Sequence, residues 1–480
     1  MQVNSRIVFF SQDDLEFMRQ RVFELLERRG VKIDHAGMLN LLADAGAKVD
    51  ADTQRVCFPK SLVEEMIALM PKTFIFGARN KDLRREVPCL KGSFHVRTGT
   101  GARAYIEPNS GVHRRVLLSD VASLARLADG LNHVDIFATP TPSDVPVQAA
   151  DVHAIRTVLQ NIHKNVCIQP YSQKSIEYLI KLVTVASGGE DEMKTNPVAS
   201  IIACSLSPLE FKNMDADIIM QASRQRVPIF ACSLPSAGGT APITMPAVVL
   251  LAAVEILAMV IMSQIVQPGA PIIATPIIYA LDMATGKAMQ STAEALQGNS
   301  MAVQFMKTAF GLLTNATGSG CDSPDIDGQS MIERTLHTLL LAASGVDIIG
   351  NTANLETATT ISPVQLVVDD EINGMVKRIL SKPTFSDETM AWEDLLNIDP
   401  GGQFITSQHT LRHCRDAFQP RSFVRQSRET FENQGQKDLV ARATELLETL
   451  KAKEDDSPMS QDMVREMASI VKHADVHILS

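Results

Sequence analysis

The feature that most constrains the fold of this chain is a cadence repeated eight times between Phe94 and Leu380. Each repeat is a short β-rich run bounded by turn residues, followed by a segment of helical length. A closed barrel of parallel strands requires this alternation, and its functional residues lie at the C-terminal ends of the strands. The predicted strands are Phe94–Gly99, Val134–Pro140, Asn165–Tyr171, Ala199–Pro208, Val227–Pro235, Ala270–Asp282, Gly311–Gly318 and Val346–Leu355.

Most of these runs are continuously apolar, which is typical of parallel strands covered on both faces. Segments of helical length separate them, such as Ser119–Asn132 and Gln329–Ser344, and each begins near a capping residue. We therefore predict an α/β protein built on a (β/α)8 TIM barrel. A doubly wound open sheet is the competing arrangement, but eight strand-helix units make the barrel the more economical interpretation.

The 480 residues accommodate one barrel and two flanking segments. We predict a helical N-terminal segment over residues 1–90, the barrel over residues 91–383, and a mixed C-terminal extension with helices over residues 384–480. Within this extension we expect a charged helix at Asp438–Lys453 and a polar surface arm at Glu454–Ser480.

The composition excludes several classes of protein. The chain has 45 basic and 55 acidic residues, a net charge of −10, and no basic tract on which nucleic-acid binding could rest. Charged residues near the N-terminus interrupt any signal-peptide core, and the seven cysteines form no C-x-x-C pair. We expect a cytoplasmic protein with reduced cysteines, and since no H-E-x-x-H spacing occurs, no metal site.

The run Ala247–Val266 is nearly long and apolar enough to span a bilayer. Glu255 lies at its centre, however, and the run falls between two predicted strands. We therefore predict a buried barrel helix or a helix at a subunit interface, and no membrane span. We also expect the protein to form a homo-oligomer.

Two predicted mouth loops carry residues suited to ligand binding. After the fifth strand, PSAGGTAP contains Gly239 and Thr240, and such a loop either presents N–H groups to an anion or makes a sharp turn. After the seventh strand, Asp322, Asp325 and Asp327 fall within six residues. These carboxylates can act in acid-base chemistry or bind a cationic substrate, while Asp327 is also placed to cap the next helix.

Aromatic residues make up 5% of the chain, so those near strand ends stand out. Asp282 closes the predicted sixth strand, and Tyr279 precedes it by three residues. An aromatic face beside a carboxylate can hold a quaternary ammonium group through cation–π attraction. Tyr105, Tyr171 and Phe211 follow the first, third and fourth strands and are predicted to add walls to this cage.

Several segments, taken together and in order, resemble the trimethylamine methyltransferase family. They are the run from PSAGGTAP to ALDMATG, CDSPDIDGQSMIER, VVDDEI and DPGGQFITSQHT, with further similarity at PSDVP and SPLEF. The resemblance covers essentially the whole chain. It implies a TIM barrel that moves a methyl group from a methylated amine to the cobalt of a separate corrinoid protein, which docks over the barrel mouth.

The founding branch of this family carries pyrrolysine, whereas this chain has standard residues throughout the seventh-strand loop. It therefore resembles the branch that demethylates quaternary amines such as glycine betaine, proline betaine, carnitine or γ-butyrobetaine. The resemblance implies that a partner protein supplies the corrinoid (cobalamin), that this chain binds no cofactor tightly, and that it provides no nucleophile. Its task would be to hold and align the methyl donor.

Gly350 bears on the choice of substrate. Several relatives have a His near this position, where it can help hold a betaine carboxylate. We expect that Gly350 leaves room for a substrate bulkier than glycine betaine, with Arg97, Asn351 or Thr352 as substitute polar contacts.

Two other functions remain open. A lyase or aldolase on the same barrel would need a lysine or a metal cluster at the strand ends, whereas Lys164 precedes the third strand and should lie at the opposite end. A non-catalytic barrel that binds quaternary amines would keep the site but lack corrinoid-dependent turnover.

Overall fold

The structure is a computed structural model that describes residues 7–89, 93–452 and 459–480. Its central sheet has eight parallel strands that pair in the order 6-5-4-3-2-1-8-7. A parallel bridge between Ala274 and Thr314 joins the sixth strand to the seventh and closes the ring. The predicted (β/α)8 barrel is therefore confirmed. Its strands are His95–Thr98, Ile136–Ala138, Asn165–Ile168, Ala199–Cys204, Ile229–Ser233, Ile272–Pro276, Asn315–Thr317 and Ile348–Thr352.

Helices follow the strands and cover the outside of the barrel. They are Leu118–Gly130, Ala150–Asn161, Ile176–Ser187, Glu190–Thr195, Asn213–Arg224, Met245–Val266, Ala293–Phe310, Gly328–Ala343 and Pro363–Leu380. Asp327 caps the helix that begins at Gly328, because its carboxylate accepts a hydrogen bond from the Ser330 N–H at 2.8 Å. This capping role was one of the two predicted for Asp327.

Short strands in the loops form small additional sheets. They are Ala104–Ile106, His113–Arg115, Glu210–Phe211, Ser236–Ala237, Tyr279–Leu281, Ala288–Met289, Asn354–Leu355 and Thr360–Ile361. These short strands lengthen the loops at the barrel mouth and direct some of the loops outward.

The N-terminal segment packs against the outside of the barrel. Its helices contact the helix Met245–Val266, and one of its sheets incorporates Glu210–Phe211 from the fourth mouth loop. The helix is therefore covered on several sides, and most of its residues are buried inside the protein, which confirms the predicted buried helix. The elements of this segment are the helices Gln12–Arg28, Ala36–Asp44 and Lys60–Ala68 and the strands Val31–Ile33, Lys48–Asp50, Arg55–Cys57, Phe74–Phe76 and Arg85–Val87.

The hairpin of Phe74–Phe76 and Arg85–Val87 closes the N-terminal end of the barrel. Phe76 is fully buried and stacks on Phe230 of the fifth strand, with ring centroids 5.6 Å apart. Arg85 Nε donates to Asp135 Oδ1 at 2.6 Å, immediately before the second strand. The opposite end, where the strands have their C-termini, is left as the barrel mouth.

Glu255, in the middle of the apolar helix, is a fully buried carboxylate. It accepts hydrogen bonds from the hydroxyls of Ser205, Ser207 and Ser233 at 2.5, 2.8 and 2.6 Å, and from the Leu209 N–H at 2.8 Å. Hydrogen bonds of this kind compensate for the loss of water around a buried charge. Glu255 therefore fixes the fourth mouth loop against the barrel.

A buried ion pair fixes the seventh and eighth mouth loops. The Arg334 side chain is fully buried, and its Nη1 donates to both carboxylate oxygens of Asp369 at 2.9 and 2.8 Å. The same guanidinium donates to the carbonyls of Ser319 at 2.5 Å and Asn354 at 3.1 Å, one in each loop. The motifs CDSPDIDGQSMIER and VVDDEI thus meet in one cluster that positions the mouth.

The predicted surface arm at the C-terminus is wrong, because its described part forms the helix Gln461–Leu479. This helix buries Met467, Val471 and Ala474, and it contacts barrel helix Ile176–Ser187. The helical spacing of these apolar residues is a signal in the sequence that could have predicted this helix. Glu454 and the predicted boundary between residues 90 and 91 lie outside the described residues. The other helices of the extension are Trp392–Asn397, Gln408–His413, Arg428–Asn433 and Leu439–Lys451.

Replacing Asp369 by Asn should lower the free energy of unfolding by about 3–5 kcal/mol, because Arg334 would stay buried without its counter-charge. Urea denaturation measures the change. Asp462→Asn is the matched control, since the Asp462 side chain is 94% exposed, and it should leave the midpoint near that of the wild type. Similar midpoints for the two variants would contradict the role assigned to the buried pair.

Candidate active site

The barrel interior contains a buried arginine that has no carboxylate partner among the described residues. Arg97 is 3% exposed, its Nη1 donates to the Thr98 carbonyl at 3.1 Å, and its Nε has no hydrogen-bond partner in the part of the chain that the structure describes. Its Cζ lies 5.4 Å from the centroid of the Phe230 ring. A buried guanidinium with unused donors is costly until an anion or another acceptor reaches it.

Gly350 of the eighth strand makes space for this guanidinium. A Cβ atom at position 350 would lie only 2.6 Å from Nη2 of Arg97. The expectation that Gly350 leaves room for a bulkier substrate is therefore wrong, because Arg97 fills that room. The role of Arg97 as a polar contact for the substrate remains a prediction.

Two polar side chains on the seventh strand lie beside this position. Asn315 and Thr317 alternate with Ala316, so they share the inner face of the strand, and Thr317 is in register with Gly350. Both amide atoms of Asn315 and the hydroxyl of Thr317 are buried without a partner in the described structure. Buried polar groups are nearly always hydrogen-bonded, so these atoms are available to a ligand or water. Neither residue is among the predicted site residues.

A network of amide side chains joins the eighth strand to the sixth mouth loop. Asn351 Nδ2 donates to Gln290 Oε1 at 2.7 Å, and Gln290 Nε2 donates to the Cys321 carbonyl at 3.0 Å. Asp322 accepts from the backbone N–H groups of Gln290 and Ser291 at 3.0 and 2.7 Å. Two predicted site residues, Asn351 and Asp322, are thus brought together through Gln290, which carries no sequence motif that could have revealed it.

Tyr279 adds an aromatic wall near Asp322. It packs against the apolar cluster of the barrel interior. Burial, followed by the negative charge of Asp322, raises the pKa of Tyr279 to about 12, so the phenol is neutral near pH 7. The carboxylate predicted beside Tyr279 was Asp282, whereas in the structure the charge that acts on its ring is that of Asp322. That this ring holds a quaternary ammonium group stays a prediction.

The thiols of the interior are protonated near pH 7. Burial raises the pKa of Cys167 to about 11, although the neighbouring Arg97 opposes this shift. A hydrogen bond with Cys232, together with burial, raises the pKa of Cys204 well above its ordinary value. Since the thiolate is the reactive form, these cysteines act as small apolar side chains of the barrel wall.

Tyr171 lies at the end of the third strand and joins neighbouring mouth loops. Its hydroxyl is 2.5 Å from the Thr141 hydroxyl. Nearby, the Thr100 hydroxyl donates to Gln169 Oε1 at 3.0 Å, which links the first loop to the third strand. Tyr171 is therefore at the mouth, as predicted, and its contact with substrate stays a prediction.

Two aromatic residues predicted as cage walls lie in the outer core instead. Phe211 is fully buried, and its strand pairs with Val31–Ile33 of the N-terminal segment. Tyr105 belongs to a strand that pairs with Thr360–Ile361. The centroid of its ring lies 4.6 Å from Cζ of Arg114. The predicted walls are wrong at these positions because both loops fold outward to join small sheets.

Asp282 does not close the sixth barrel strand, which ends at Pro276. It lies in the following hairpin, where its carboxylate accepts from the Ala284 N–H at 3.0 Å and from the Thr285 hydroxyl at 2.6 Å. The hydrogen bond from Thr285 lowers the pKa of Asp282. Asp282 therefore lies in the sixth mouth loop, and its carboxylate is engaged in its own turn instead of ending a barrel strand as predicted.

The glycine loop PSAGGTAP is a sharp turn, the second of the two predicted alternatives. The Gly239 N–H donates to the Ser236 carbonyl at 3.0 Å, and the Thr240 hydroxyl accepts from the Ser236 N–H at 3.0 Å. These groups are used within the turn and do not form an anion site. In the seventh loop, Asp325 is exposed and its carboxylate accepts from the Ile326 N–H at 2.8 Å.

Comparison with known proteins places the chain in a family. The trimethylamine methyltransferase (MTTB) family model matches residues 2–477. The trimethylamine methyltransferases MttB of Desulfitobacterium hafniense and Methanosarcina barkeri are 27% and 28% identical to it over 97% of this chain, and the matches cover 94% and 95% of theirs. A glycine betaine methyltransferase of Desulfitobacterium hafniense is 24% identical over 85% of each chain.

Among solved structures, the monomethylamine methyltransferase MtmB of Methanosarcina barkeri shares the fold. It matches 100% of this chain and 89% of its own, with a TM-score of 0.58 at 13% identity. The resemblance of the sequence motifs is thus confirmed over the length of the chain. The protein is a methyltransferase and belongs to the trimethylamine methyltransferase family.

Proposed function

We propose that this methyltransferase transfers an N-methyl group from a betaine-type quaternary amine to the reduced cobalt of a corrinoid protein. The observation that carries the proposal is Arg97, buried in the barrel interior without a carboxylate partner in the described part of the chain. A substrate carboxylate would complete its hydrogen bonds. Glycine betaine, proline betaine, carnitine and γ-butyrobetaine all combine this carboxylate with a quaternary nitrogen.

The quaternary nitrogen would lie toward Tyr279 and Asp322. Because its positive charge fades as the methyl group leaves, a strong ion pair with the nitrogen would stabilise the substrate more than the transition state. The Asp322 carboxylate already accepts hydrogen bonds from Gln290 and Ser291, which moderates its pull on a cation. The neutral ring of Tyr279 supplies a weaker and less directional attraction.

The chemistry requires alignment rather than a reactive group on this chain. The corrinoid supplies the nucleophile. The electron pair of the broken C–N bond returns to nitrogen, so a neutral tertiary amine leaves and no proton is consumed. Arg97 at one end of the substrate and Tyr279 at the other would fix the orientation of the methyl group that faces the mouth.

A partner protein would dock at the mouth, since the hairpin at Phe76 occupies the other end of the barrel. Exposed apolar side chains on the fourth, fifth and sixth mouth loops support this placement. Leu206, Ile243 and Met283 are 50%, 63% and 68% exposed, and Ile243 and Met283 both lie near Gly238. Exposed apolar groups near a site are typical of surfaces that bind a protein.

We further propose a cytoplasmic location.

The lysine-dependent alternative has no support in this geometry. Lys164 lies beside the N-terminal end of the third strand, where its ammonium group donates to the carbonyls of Ala128, Leu131 and Val134 at 2.8, 2.6 and 2.7 Å. It is thus at the end opposite the mouth, as predicted, and its three donors are occupied.

Arg97→Gln should raise the KM for carboxylate-bearing betaines by about 10–150-fold, the worth of a charged hydrogen bond of about 1.5–3 kcal/mol. Turnover of tetramethylammonium and choline, which lack the carboxylate, should change little. The assay mixes the enzyme with a reduced corrinoid protein and follows the absorbance of the cobalt. Arg103→Gln is the matched control, because Arg103 is exposed in the first mouth loop.

An equal loss for both classes of amine would contradict the carboxylate contact. If the wild type bound betaines by calorimetry but transferred no methyl group to any corrinoid tested, the non-catalytic binding barrel would be the better explanation.

Gly350→Ala should weaken betaine binding by about tenfold, or 1.4 kcal/mol, because the added Cβ displaces the Arg97 guanidinium. Thermal stability should fall little, since the end of a flexible side chain can move. Isothermal titration calorimetry measures the affinity. Gly328→Ala is the control, because no described atom lies within 4 Å of a Cβ at that position. Unchanged affinity in the Gly350 variant would show that Arg97 does not hold the substrate in this position.

A further inference from the structure

Three side chains of metal-ligand type lie together in the C-terminal extension, outside the barrel. The ligand atoms of Glu388, His409 and His413 are within 4.8 Å of one another. The two histidines are four residues apart on the helix Gln408–His413, so they share one face, and their ring centroids are 4.4 Å apart. This H-x-x-x-H pair is not among the sequence predictions, which expect no metal site.

The hydrogen bonds of His413 orient its ring. Its Nδ1 is 2.7 Å from Asp416 Oδ2, and its Nε2 is 2.7 Å from Glu388 Oε1. Metal-binding histidines usually donate their second ring N–H to a carboxylate, which fixes the tautomer and the direction of the ligating nitrogen. Asp416 is placed to accept this proton, which leaves Nε2 directed at the cluster.

His409 provides an independent indication of a missing partner. Its Nε2 atom is buried and has no hydrogen-bond partner in the described structure. A buried polar atom of this kind loses its hydration without compensation. A metal ion shared with Glu388 and His413 would supply the missing bond.

The part of the C-terminal extension around these three residues buries few of its own side chains. The helices Trp392–Asn397, Gln408–His413 and Arg428–Asn433, all of whose residues the structure describes, contain no buried residue. Phe385 and Ile405 are 77% and 73% exposed. Small units with so little apolar burial commonly depend on a disulfide or a metal ion. Glu388 precedes the first of these helices and the histidines lie on the second, so one ion would join the two parts.

We propose that Glu388, His409 and His413 bind a zinc ion that stabilises the C-terminal extension. Two imidazoles and one carboxylate are ligands that zinc commonly takes, whereas calcium and magnesium prefer oxygen ligands. The fourth position would hold water or another group. Asp416 orients His413 from outside the coordination sphere.

The proposed zinc site can be tested directly in the full-length protein. After loading with zinc and gel filtration, the wild type should retain about one zinc ion per chain by mass spectrometry, as a single site of this kind requires. The double variant His409→Ala/His413→Ala should retain almost none. Asp416→Asn keeps all three ligands and should weaken zinc affinity by about 10–100-fold. The control His473→Ala, at an exposed position on the C-terminal helix, should match the wild type.

A second readout does not depend on the folding of any variant. In the zinc-loaded wild type, residues 384–423 should resist limited proteolysis, and removal of zinc by a chelator should make them susceptible while the circular dichroism of the barrel persists. A wild type that retains no more zinc than the double variant overturns the site. Cleavage that does not respond to the chelator overturns its stabilising role.

Discussion

A buried guanidinium requires hydrogen-bond acceptors, and Arg334 and Arg97 of this barrel differ in the acceptors that surround them. Arg334 is enclosed by Asp369 and by carbonyls of two loops, so its donors are bound within the protein. Arg97 has an Nε without a partner among the described residues and lies across Gly350. The first arrangement holds two mouth loops together, and the second leaves a positive charge available within the barrel. The remaining features of the site depend on this contrast.

The barrel could be predicted from the sequence because its signal is local: each strand and its helix repeat the same pattern within one stretch of chain. The course of the mouth loops could not, since it depends on pairings between distant segments, such as Phe211 with Ile33 and Tyr105 with Ile361. The position of Asp282 outside the sixth strand could have been predicted from Pro276, because proline lacks an N–H and favours an end to the strand.

The candidate site was predictable where a charge or an aromatic ring marked it. Tyr279 is one of few aromatic residues and Arg97 and Asp322 are charged, and burial together with the negative charge of Asp322 raises the pKa of Tyr279. Asn315 and Gln290 have common side chains without a motif, so only the fold reveals that their amides face the interior or bridge two loops. Gly350 and Arg97 are both predicted site residues, but the close approach between them depends on the pairing of the first and eighth strands.

The hairpin that occupies the N-terminal end of the barrel sets the order of events in a catalytic cycle of the proposed kind. Because Phe76 and its neighbours fill one end of the barrel, the amine and the proposed corrinoid partner would both use the mouth. The amine would then enter before the partner docks, and the demethylated product would leave only after the partner departs. The rate of turnover would depend on how quickly the two proteins separate, so a tighter complex would make a slower enzyme.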